Sequence, residues 1–310
     1  MTASAILAAF HGVIPPILTP RHASGELDAH SLACLTRHLL DGGVHGVFVL
    51  GSSGEVPYLT NAERRQTVRT VVDSVGGKVP VFVGACEMTP QRVIEEGRAM
   101  ADAGADALVV TTPFYALAND AEVEAHFRAI HQAVDCPLFA YDVPVRTHMK
   151  MSVAVLERLA RDGVIAGVKD SSGDDVGFRR LLLATRDIPG FAVFTGHEVV
   201  VDGAFLSGAA GVVPGLGNVD PKGYVAMYDA YRRGDWEGVR REQDRLARLF
   251  DIVFAPQGRV SAGAAGLGAF KTALVSLGII DSNRMSEPML SLNEEEKTRI
   301  DHILREVGLL

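Results

Sequence analysis

Short apolar segments alternate with longer amphipathic segments along the first two thirds of the chain. The short segments are rich in β-branched residues and are apolar almost throughout, which is typical of strands buried on both faces of a parallel sheet. They predict eight strands, at residues 13–18, 46–50, 79–85, 107–111, 137–141, 165–169, 192–195 and 211–213.

The segments between these strands have the apolar spacing of helices. They predict helices at residues 30–40, 61–75, 90–103, 122–134, 153–160 and 176–185. Thr60 and Glu63 form a capping-box signal at the start of the second helix. Eight strand–helix units match a (β/α)8 TIM barrel better than an open sheet. No G-x-G-x-x-G sequence follows a strand, which argues against a dinucleotide-binding domain.

The alternation stops after about residue 218, and the remaining patterns are helical, at residues 221–233, 235–254, 263–276 and 294–307. We therefore predict a (β/α)8 barrel over residues 1–218 that carries the active site. A C-terminal helical subdomain over residues 219–310 is predicted to pack on the barrel and to take part in oligomer contacts.

Composition excludes several classes of protein. Apolar residues make up 47% of the 310 residues and charged residues 22%, as in ordinary globular proteins. The net charge of −8, with no basic cluster, argues against a nucleic-acid partner. The three cysteines show no CxxC spacing, which argues against a disulfide framework and a cysteine-rich zinc site. The apolar runs are too short for a membrane span, and the N-terminal segment up to His11 makes a poor signal peptide, so we expect a soluble, cytoplasmic protein.

The residues that follow the apolar runs are the candidates for chemistry, because the active site of such a barrel lies at the carboxyl ends of its strands. Lys169 is one of six lysines, and it alone closes a strongly apolar strand. Burial disfavours a charged ammonium, and the neutral amine can attack a carbonyl, as Schiff-base catalysis requires. The structural alternative is an ion pair between Lys169 and Asp170.

Other strand ends carry polar candidates. The turn Gly51-Ser52-Ser53-Gly54 offers hydroxyl groups and accessible backbone N–H groups that suit a carboxylate or phosphate. Tyr141 ends the fifth strand, where a phenol can transfer a proton, and Arg146 follows with a guanidinium that suits a carboxylate. An ordinary turn, core packing and a surface ion pair are the respective alternatives. His197 and Glu198 have no third ligand at a suitable spacing, so we expect no metal site.

Taken together, these segments resemble the dihydrodipicolinate synthase / N-acetylneuraminate lyase family of class I aldolases. The resemblance covers nearly the whole chain. Four motifs carry it, in the family's order and at matching spacing: Gly51-Ser52-Ser53-Gly54-Glu55, Thr112-Pro113-Phe114-Tyr115, Tyr141-Asp142-Val143-Pro144 and Gly167-Val168-Lys169-Asp170. The late segment Phe270-Lys271-Thr272-Ala273-Leu274 also fits the family.

The resemblance implies a catalytic role for four residues. Lys169 would form an imine with pyruvate or another 2-oxo acid, and Tyr141 would act as the acid/base near the imine. Ser52 would stand in a proton relay with Tyr141 and Tyr115, and Tyr115 would reach in from a neighbouring subunit. The protonated imine is itself an electron sink, so no metal or organic cofactor is expected.

The resemblance also implies how substrate is held and how chains assemble. Gly51, Ser52 and Ser53 would bind the α-carboxylate of pyruvate, Val213 would line the pyruvate end, and Arg146 would bind a carboxylate on the aldehyde. The family is usually a tetramer built as a dimer of dimers, so we expect a homotetramer with small-molecule partners, a 2-oxo acid and an aldehyde.

The branch of the family decides the aldehyde. Arg146 favours dihydrodipicolinate synthase, which condenses pyruvate with aspartate semialdehyde. Asp142 in place of the usual asparagine, His148 in place of the usual glycine, and the sequence Gly196-His197-Glu198 favour a relative instead. We expect an aldolase that acts on a 2-keto-3-deoxy sugar acid or a related 2-oxo acid, with dihydrodipicolinate synthase as the main alternative. N-acetylneuraminate lyase, a 2-keto-3-deoxy acid dehydratase and a non-catalytic metabolite-binding homologue rank lower.

Overall fold

One parallel sheet organises the molecule, as the sequence predicts. The structure is a computed structural model that describes residues 10–310. Residues 1–9, which hold most of the segment considered as a signal peptide and the start of the predicted barrel, lie outside the described residues. The strands are β1 Gly12–Val13, β2 Val47–Val49, β3 Val81–Gly84, β4 Ala107–Thr111, β5 Leu138–Asp142, β6 Gly167–Asp170, β7 Ala192–Thr195 and β8 Gly211–Val212.

The sheet closes into a barrel. Strands β2 to β7 each pair with the next strand in the chain, and β8 also pairs with β1. Between β1 and β2, the Ile17 N–H donates to the Phe48 carbonyl and the Phe48 N–H donates to the Pro15 carbonyl. The first strand is shorter than its predicted extent, because Pro15 and Pro16 have no N–H group for the ladder. The predicted (β/α)8 fold is thus confirmed.

The predicted helices of the barrel are confirmed, with ends within two residues of those expected. Thr60 and Glu63 form both hydrogen bonds of the capping box. Two further short helices, at Pro144–Thr147 and Val201–Leu206, were not predicted. The barrel helices are α1 Ala29–Asp41, α2 Asn61–Val75, α3 Pro90–Asp102, α4 Asp120–Ala133, α5 Pro144–Thr147, α6 Val153–Arg161, α7 Asp175–Thr185 and α8 Val201–Leu206.

The C-terminal part is helical, as expected, and packs on the barrel. Leu246 and Phe270 belong to the same hydrophobic cluster as Val168 in β6. The division of the chain at residue 218 stays a prediction. Across residues 10–310, no helix is both long and apolar enough to cross a membrane. The C-terminal helices are α9 Pro221–Arg232, α10 Trp236–Phe250, α11 Ala262–Ser276 and α12 Glu294–Glu306, with a 3-10 turn at Asp251–Phe254.

Aromatic rings fill the interior of the barrel. Phe82 lies with its ring centroid 5.2 Å from that of Phe139 and 6.4 Å from that of Phe194, both in edge-to-face arrangements. The void left among the inner side chains is only about 10 Å³. The barrel is therefore a packed core and not a channel, and its aromatic layer forms a rigid floor beneath the carboxyl ends of the strands.

Candidate active site

A cavity of about 640 Å³ lies at the carboxyl ends of the barrel strands. The structure brings most of the predicted site residues to this cavity, namely Ser52, Ser53, Tyr141, Arg146, Lys169 and Val213. The facing wall is apolar and comes from the C-terminal part, chiefly Phe250, Val253, Leu267 and Phe270. The C-terminal helices therefore complete a site that the barrel strands begin.

Lys169 occupies the floor of the cavity. Its side chain is buried, with 6% of the residue exposed. Its Nζ lies 4.1 Å from the ring centroid of Tyr141 and 4.8 Å from that of Phe48. In the part of the chain from residue 10 onward, Lys169 forms no ion pair; Asp170 instead faces Lys150, at 3.4 Å. The alternative of a Lys169–Asp170 pair is wrong because adjacent side chains of a strand point to opposite faces of the sheet.

Tyr141 and Ser52 form a hydroxyl pair beside this amine. Tyr141 lies directly opposite Lys169 in the register of β5 against β6. Its phenol oxygen is 3.4 Å from the Oγ of Ser52, at the limit of a hydrogen bond. Two neighbouring hydroxyl groups beside a buried amine can transfer a proton to and from a substrate that is bound at this amine.

The turn after β2 is shaped by its glycines. A Cβ at Gly51 would lie 2.6 Å from the ring of Phe48, so only glycine lets the turn pass over this ring. The Gly54 N–H donates to the Gly51 carbonyl at 3.0 Å, and the Thr19 hydroxyl donates to the Gly54 carbonyl at 2.8 Å. Gly51 thus lies beneath the turn and outside the lining of the cavity, and it presents Ser52 and Ser53.

A buried ion pair holds this turn in place. Glu55, at φ +58°, and Lys271 of α11 are both fully buried and contact each other. Glu55 also accepts a hydrogen bond from the Ser286 N–H at 2.8 Å, and Lys271 donates to the Arg284 carbonyl at 2.9 Å. Burial lowers the pKa of Lys271, against the opposing effect of Glu55. Both residues stand in motifs quoted above, but their contact joins positions too distant in sequence to be anticipated.

Arg146 and Val213 both line the cavity. Arg146 stands on α5, is exposed, and forms no ion pair with any residue from 10 to 310. A Cβ at Gly263 would come within 3.2 Å of its guanidinium, so the side chain lies against the start of α11. Val213 is buried just after β8, where its N–H donates to the Thr195 carbonyl at 2.8 Å. The alternative of a surface ion pair for Arg146 is not seen among residues 10–310.

Tyr115 is the predicted catalytic residue that a single chain does not bring to the cavity. It lies in the loop between β4 and α4, and 89% of it is exposed. Leu117 in the same loop is also exposed. Exposed apolar side chains that lie close together can form part of a surface that meets another protein.

Glu198 is a cavity residue that sequence reasoning considered as a metal ligand and as a marker of the family branch, but not as a group that contacts substrate. It follows β7 by three positions, so the strand-end rule that found Lys169 could have found it. Its carboxylate accepts a hydrogen bond from the Leu216 N–H at 2.6 Å. Burial raises the pKa of Glu198 to about 7, although that bond and the charge of Lys169 oppose the rise. Within residues 10–310, no group of three or more His, Cys, Asp or Glu side chains is arranged to hold a metal ion.

Comparison with known proteins identifies the family of this chain. The family model described as the Dihydrodipicolinate synthetase family matches residues 9–307. The chain belongs to this family. It is therefore a lyase of the class I aldolase type, as the four motifs indicate.

Individual members of the Dihydrodipicolinate synthetase family match over nearly their full lengths. The chain is 35% identical to an uncharacterized DapA-like lyase of Halobacterium salinarum, over 97% of this chain and 95% of the relative. It is 33% identical to a 4-hydroxy-tetrahydrodipicolinate synthase of Phenylobacterium zucineum, over 97% and 98%. A prophage protein of the same family from E. coli K12, solved in complex with pyruvate, superposes with a TM-score of 0.90 at 28% identity, over 97% and 99%. These relatives carry different names, so the family alone does not fix the substrate.

The pKa of Glu198 predicts a pH dependence of stability. A carboxyl whose pKa rises from 4.5 to about 7 on folding stabilises the fold fully below pH 4.5, and this contribution is lost as the pH rises through 7. The amide side chain introduced by Glu198→Gln cannot ionise. The free energy of unfolding of this variant, relative to that of the wild type, should therefore rise by up to about 3 kcal/mol between pH 5 and pH 8. Urea denaturation across this range measures the gain. Glu237→Gln, on the exposed side of α10, is the control, and parallel curves for Glu198→Gln and the wild type would contradict the prediction.

The Glu55–Lys271 pair predicts a large loss of stability when one partner is removed. Lys271→Met leaves a buried carboxylate without its cation, so the free energy of unfolding should fall by about 3–5 kcal/mol. Lys297→Met, which removes a partly exposed ion pair with Asp301 on α12, should change it by less than about 1 kcal/mol. The double variant Glu55→Gln, Lys271→Met should recover part of the loss. Urea denaturation measures these changes, and equally small effects of Lys271→Met and Lys297→Met would contradict the prediction.

Proposed function

We propose that this protein is a pyruvate-dependent class I aldolase that forms an imine at Lys169. The observation that carries the proposal is the buried Lys169 amine, which has no ion-pair partner in the described chain and lies 4.1 Å from the ring of Tyr141. An amine held by aromatic rings and not by a carboxylate is available to act as a nucleophile. The pyruvate bound by the E. coli K12 relative supports the choice of 2-oxo acid.

The reaction follows from these groups. Once it has given up a proton, the Lys169 amine attacks the ketone carbon of pyruvate, and the oxygen leaves as water after protonation. The protonated imine withdraws electrons from the adjacent methyl carbon, which loses a proton to give an enamine. The enamine carbon then attacks an aldehyde, and the cleavage direction is the reverse. Tyr141, with Ser52 behind it, supplies and removes the proton on the reacting oxygen. Because the imine itself is the electron sink, the proposed reaction uses no metal and no organic cofactor.

Binding groups surround the proposed imine. Ser52 and Ser53 offer hydroxyl and backbone N–H groups to the α-carboxylate of pyruvate, on the turn that Gly51 allows. Val213 bounds the pyruvate end with an apolar surface. Arg146 stands farther out, where its guanidinium can bind a carboxylate on the second substrate.

For the second substrate we propose the aldehyde released from a 2-keto-3-deoxy sugar acid or a related 2-oxo acid. Glu198 on the cavity wall can accept hydrogen bonds from substrate hydroxyl groups, and Arg146 can bind a distal carboxylate. The alternative is aspartate semialdehyde, favoured by Arg146 and by the name of the Phenylobacterium zucineum relative. Condensation of pyruvate with a panel of hydroxylated aldehydes and with aspartate semialdehyde separates the two, since the proposal expects higher kcat/KM for the hydroxylated aldehydes.

Covalent trapping tests the imine directly. Incubation with pyruvate and borohydride should add one reduced pyruvyl group per chain, and peptide mapping should place it on Lys169. Lys169→Ala should lose both the label and turnover. Lys297→Met, which removes a lysine that does not line the cavity, should retain both. A label on another lysine, or no label with any 2-oxo acid, would overturn the proposed mechanism.

We propose that Tyr115 serves the site of a neighbouring subunit in a tetramer built as a dimer of dimers. Its exposure in a loop beyond β4 supports this placement. A tyrosine supplied by a partner would extend the Tyr141–Ser52 pair into a relay that reaches solvent. Each site would then be incomplete in a monomer.

Mixing variants tests the partner's tyrosine. Tyr115→Phe should keep pyruvate trapping at Lys169 but lower kcat at least about 10-fold, because general acid–base help is worth ~10²–10⁴-fold. Refolding Tyr115→Phe together with Lys169→Ala should restore activity, since a mixed dimer holds one site with an intact lysine and a borrowed intact tyrosine. A mixture as inactive as its parents would show that Tyr115 serves its own chain.

A further inference from the structure

Two carboxylates and one lysine meet on the side of β5 and β6 that faces away from the barrel interior. Asp142 and Asp170 lie opposite each other in the register of these strands, one residue after Tyr141 and Lys169. Both carboxylates are buried. The Nζ of Lys150 is ion-paired with Asp142 and lies 3.4 Å from Asp170. One ammonium thus bridges the ends of the two strands that carry the proposed catalytic residues.

The carboxylate of Asp142 fixes both ends of the segment that carries Arg146. Residue 142 begins this segment, and residues 150 and 151 end it. One oxygen of Asp142 binds Lys150, and the other accepts a hydrogen bond from the Met151 N–H at 3.2 Å. Within the segment, the Thr147 hydroxyl lies 3.2 Å from the Val143 carbonyl, to which it donates. The segment that contains the one-turn helix α5 therefore has its last residues attached to the side chain of its first residue, Asp142.

The same cluster is joined to the strand of Lys169. The carboxylate of Asp170 accepts a hydrogen bond from the Ser172 N–H at 2.8 Å. The Ser171 N–H donates to the Asp142 carbonyl at 2.8 Å. The segments that follow β5 and β6 are thus linked by one backbone hydrogen bond, from Ser171 to Asp142, and by the Lys150 ammonium between the carboxylates.

The charge of Lys150 is what lets the two carboxylates coexist. Burial raises the pKa of Asp142 to about 6, and Lys150 acts against this rise while Asp170 adds to it. Burial would lower the pKa of Lys150, but its bonds to Asp142 and Asp170 raise it overall. Asparagine, the usual residue of the family motif at position 142, would keep an acceptor for the Met151 N–H but would give Lys150 no charged partner on β5.

We infer that Lys150 is a positioning residue that fixes Arg146 relative to Lys169 and so sets the preference for aldehydes with a distal carboxylate. Lys150 itself does not reach the cavity; it acts through Asp142, Asp170 and the segment between residues 142 and 151. The part of this inference that concerns aldehydes rests on the proposed function, whereas the part that concerns the segment does not.

Hydrogen exchange of the backbone amides tests the segment without any substrate. In Lys150→Met, the amides of Arg146, Thr147 and His148 should exchange at least about 10-fold faster than in the wild type, because the loop loses one of its two attachments. Lys297→Met, which removes an ion pair on α12, should leave these amides unchanged. Unchanged exchange in Lys150→Met would overturn the inference. If Lys150→Met fails to fold, Asp142→Asn is measured instead and should show the same faster exchange.

Kinetics test the positioning of Arg146. For an aldehyde with a distal carboxylate, Lys150→Met should lower kcat/KM about 10- to 100-fold, mainly through KM, as a misplaced binding group does. For a neutral aldehyde the loss should stay within about 3-fold, and borohydride trapping should still label one Lys169 per chain. An equal fall in kcat for all aldehydes, with incomplete trapping, would show a merely structural role and overturn the inference. Absence of trapping in the wild type would instead refute the proposed function, and the exchange result would still decide the role of Lys150.

Discussion

The alternation of side chains along β5 and β6 is the constraint on which the site depends. Because these strands run parallel in a shared register, Tyr141 and Lys169 face the barrel interior together, while Asp142 and Asp170 face outward together. The inner pair forms the floor of the cavity, and the outer pair binds Lys150. A register shift of one residue would exchange the two pairs and would place carboxylates beneath the cavity in place of the amine.

Buried charges fall into two groups with different surroundings. Glu55 and Lys271 neutralise each other, and Asp142 and Asp170 share Lys150, as buried charges must if they are to be tolerated. Lys169 and Glu198 belong to the second group, because neither forms an ion pair within residues 10–310 and both line the cavity. Burial of an ionisable group without a partner of opposite charge lowers the stability of the fold. Such groups are found mainly at functional sites, where their chemistry is used.

Two parts of the chain that are distant in sequence build one cavity. The barrel supplies the polar floor, and α10 and α11 supply an apolar wall that includes Phe250 and Phe270. The buried contact between Glu55 and Lys271 connects the serine turn with α11, so the wall and the floor are positioned together. Tyr115 remains outside this arrangement in a single chain, which is why the proposed relay needs a second subunit.

The sequence by itself determined the strands, most helices and the residues of the candidate site, because apolar runs, capping residues and strand ends are local signals. It identified Lys169, Tyr141 and the serine turn for the same reason. It overestimated the first strand at Pro15 and Pro16, missed α5 and α8, and gave Glu198 no chemical role beyond a rejected metal site. Only the tertiary structure decided that Asp170 pairs with Lys150 and not with Lys169, and that Glu55 contacts Lys271. These pairings depend on which side chains come within a few ångströms of each other when the barrel closes. No local pattern in the sequence encodes those distances.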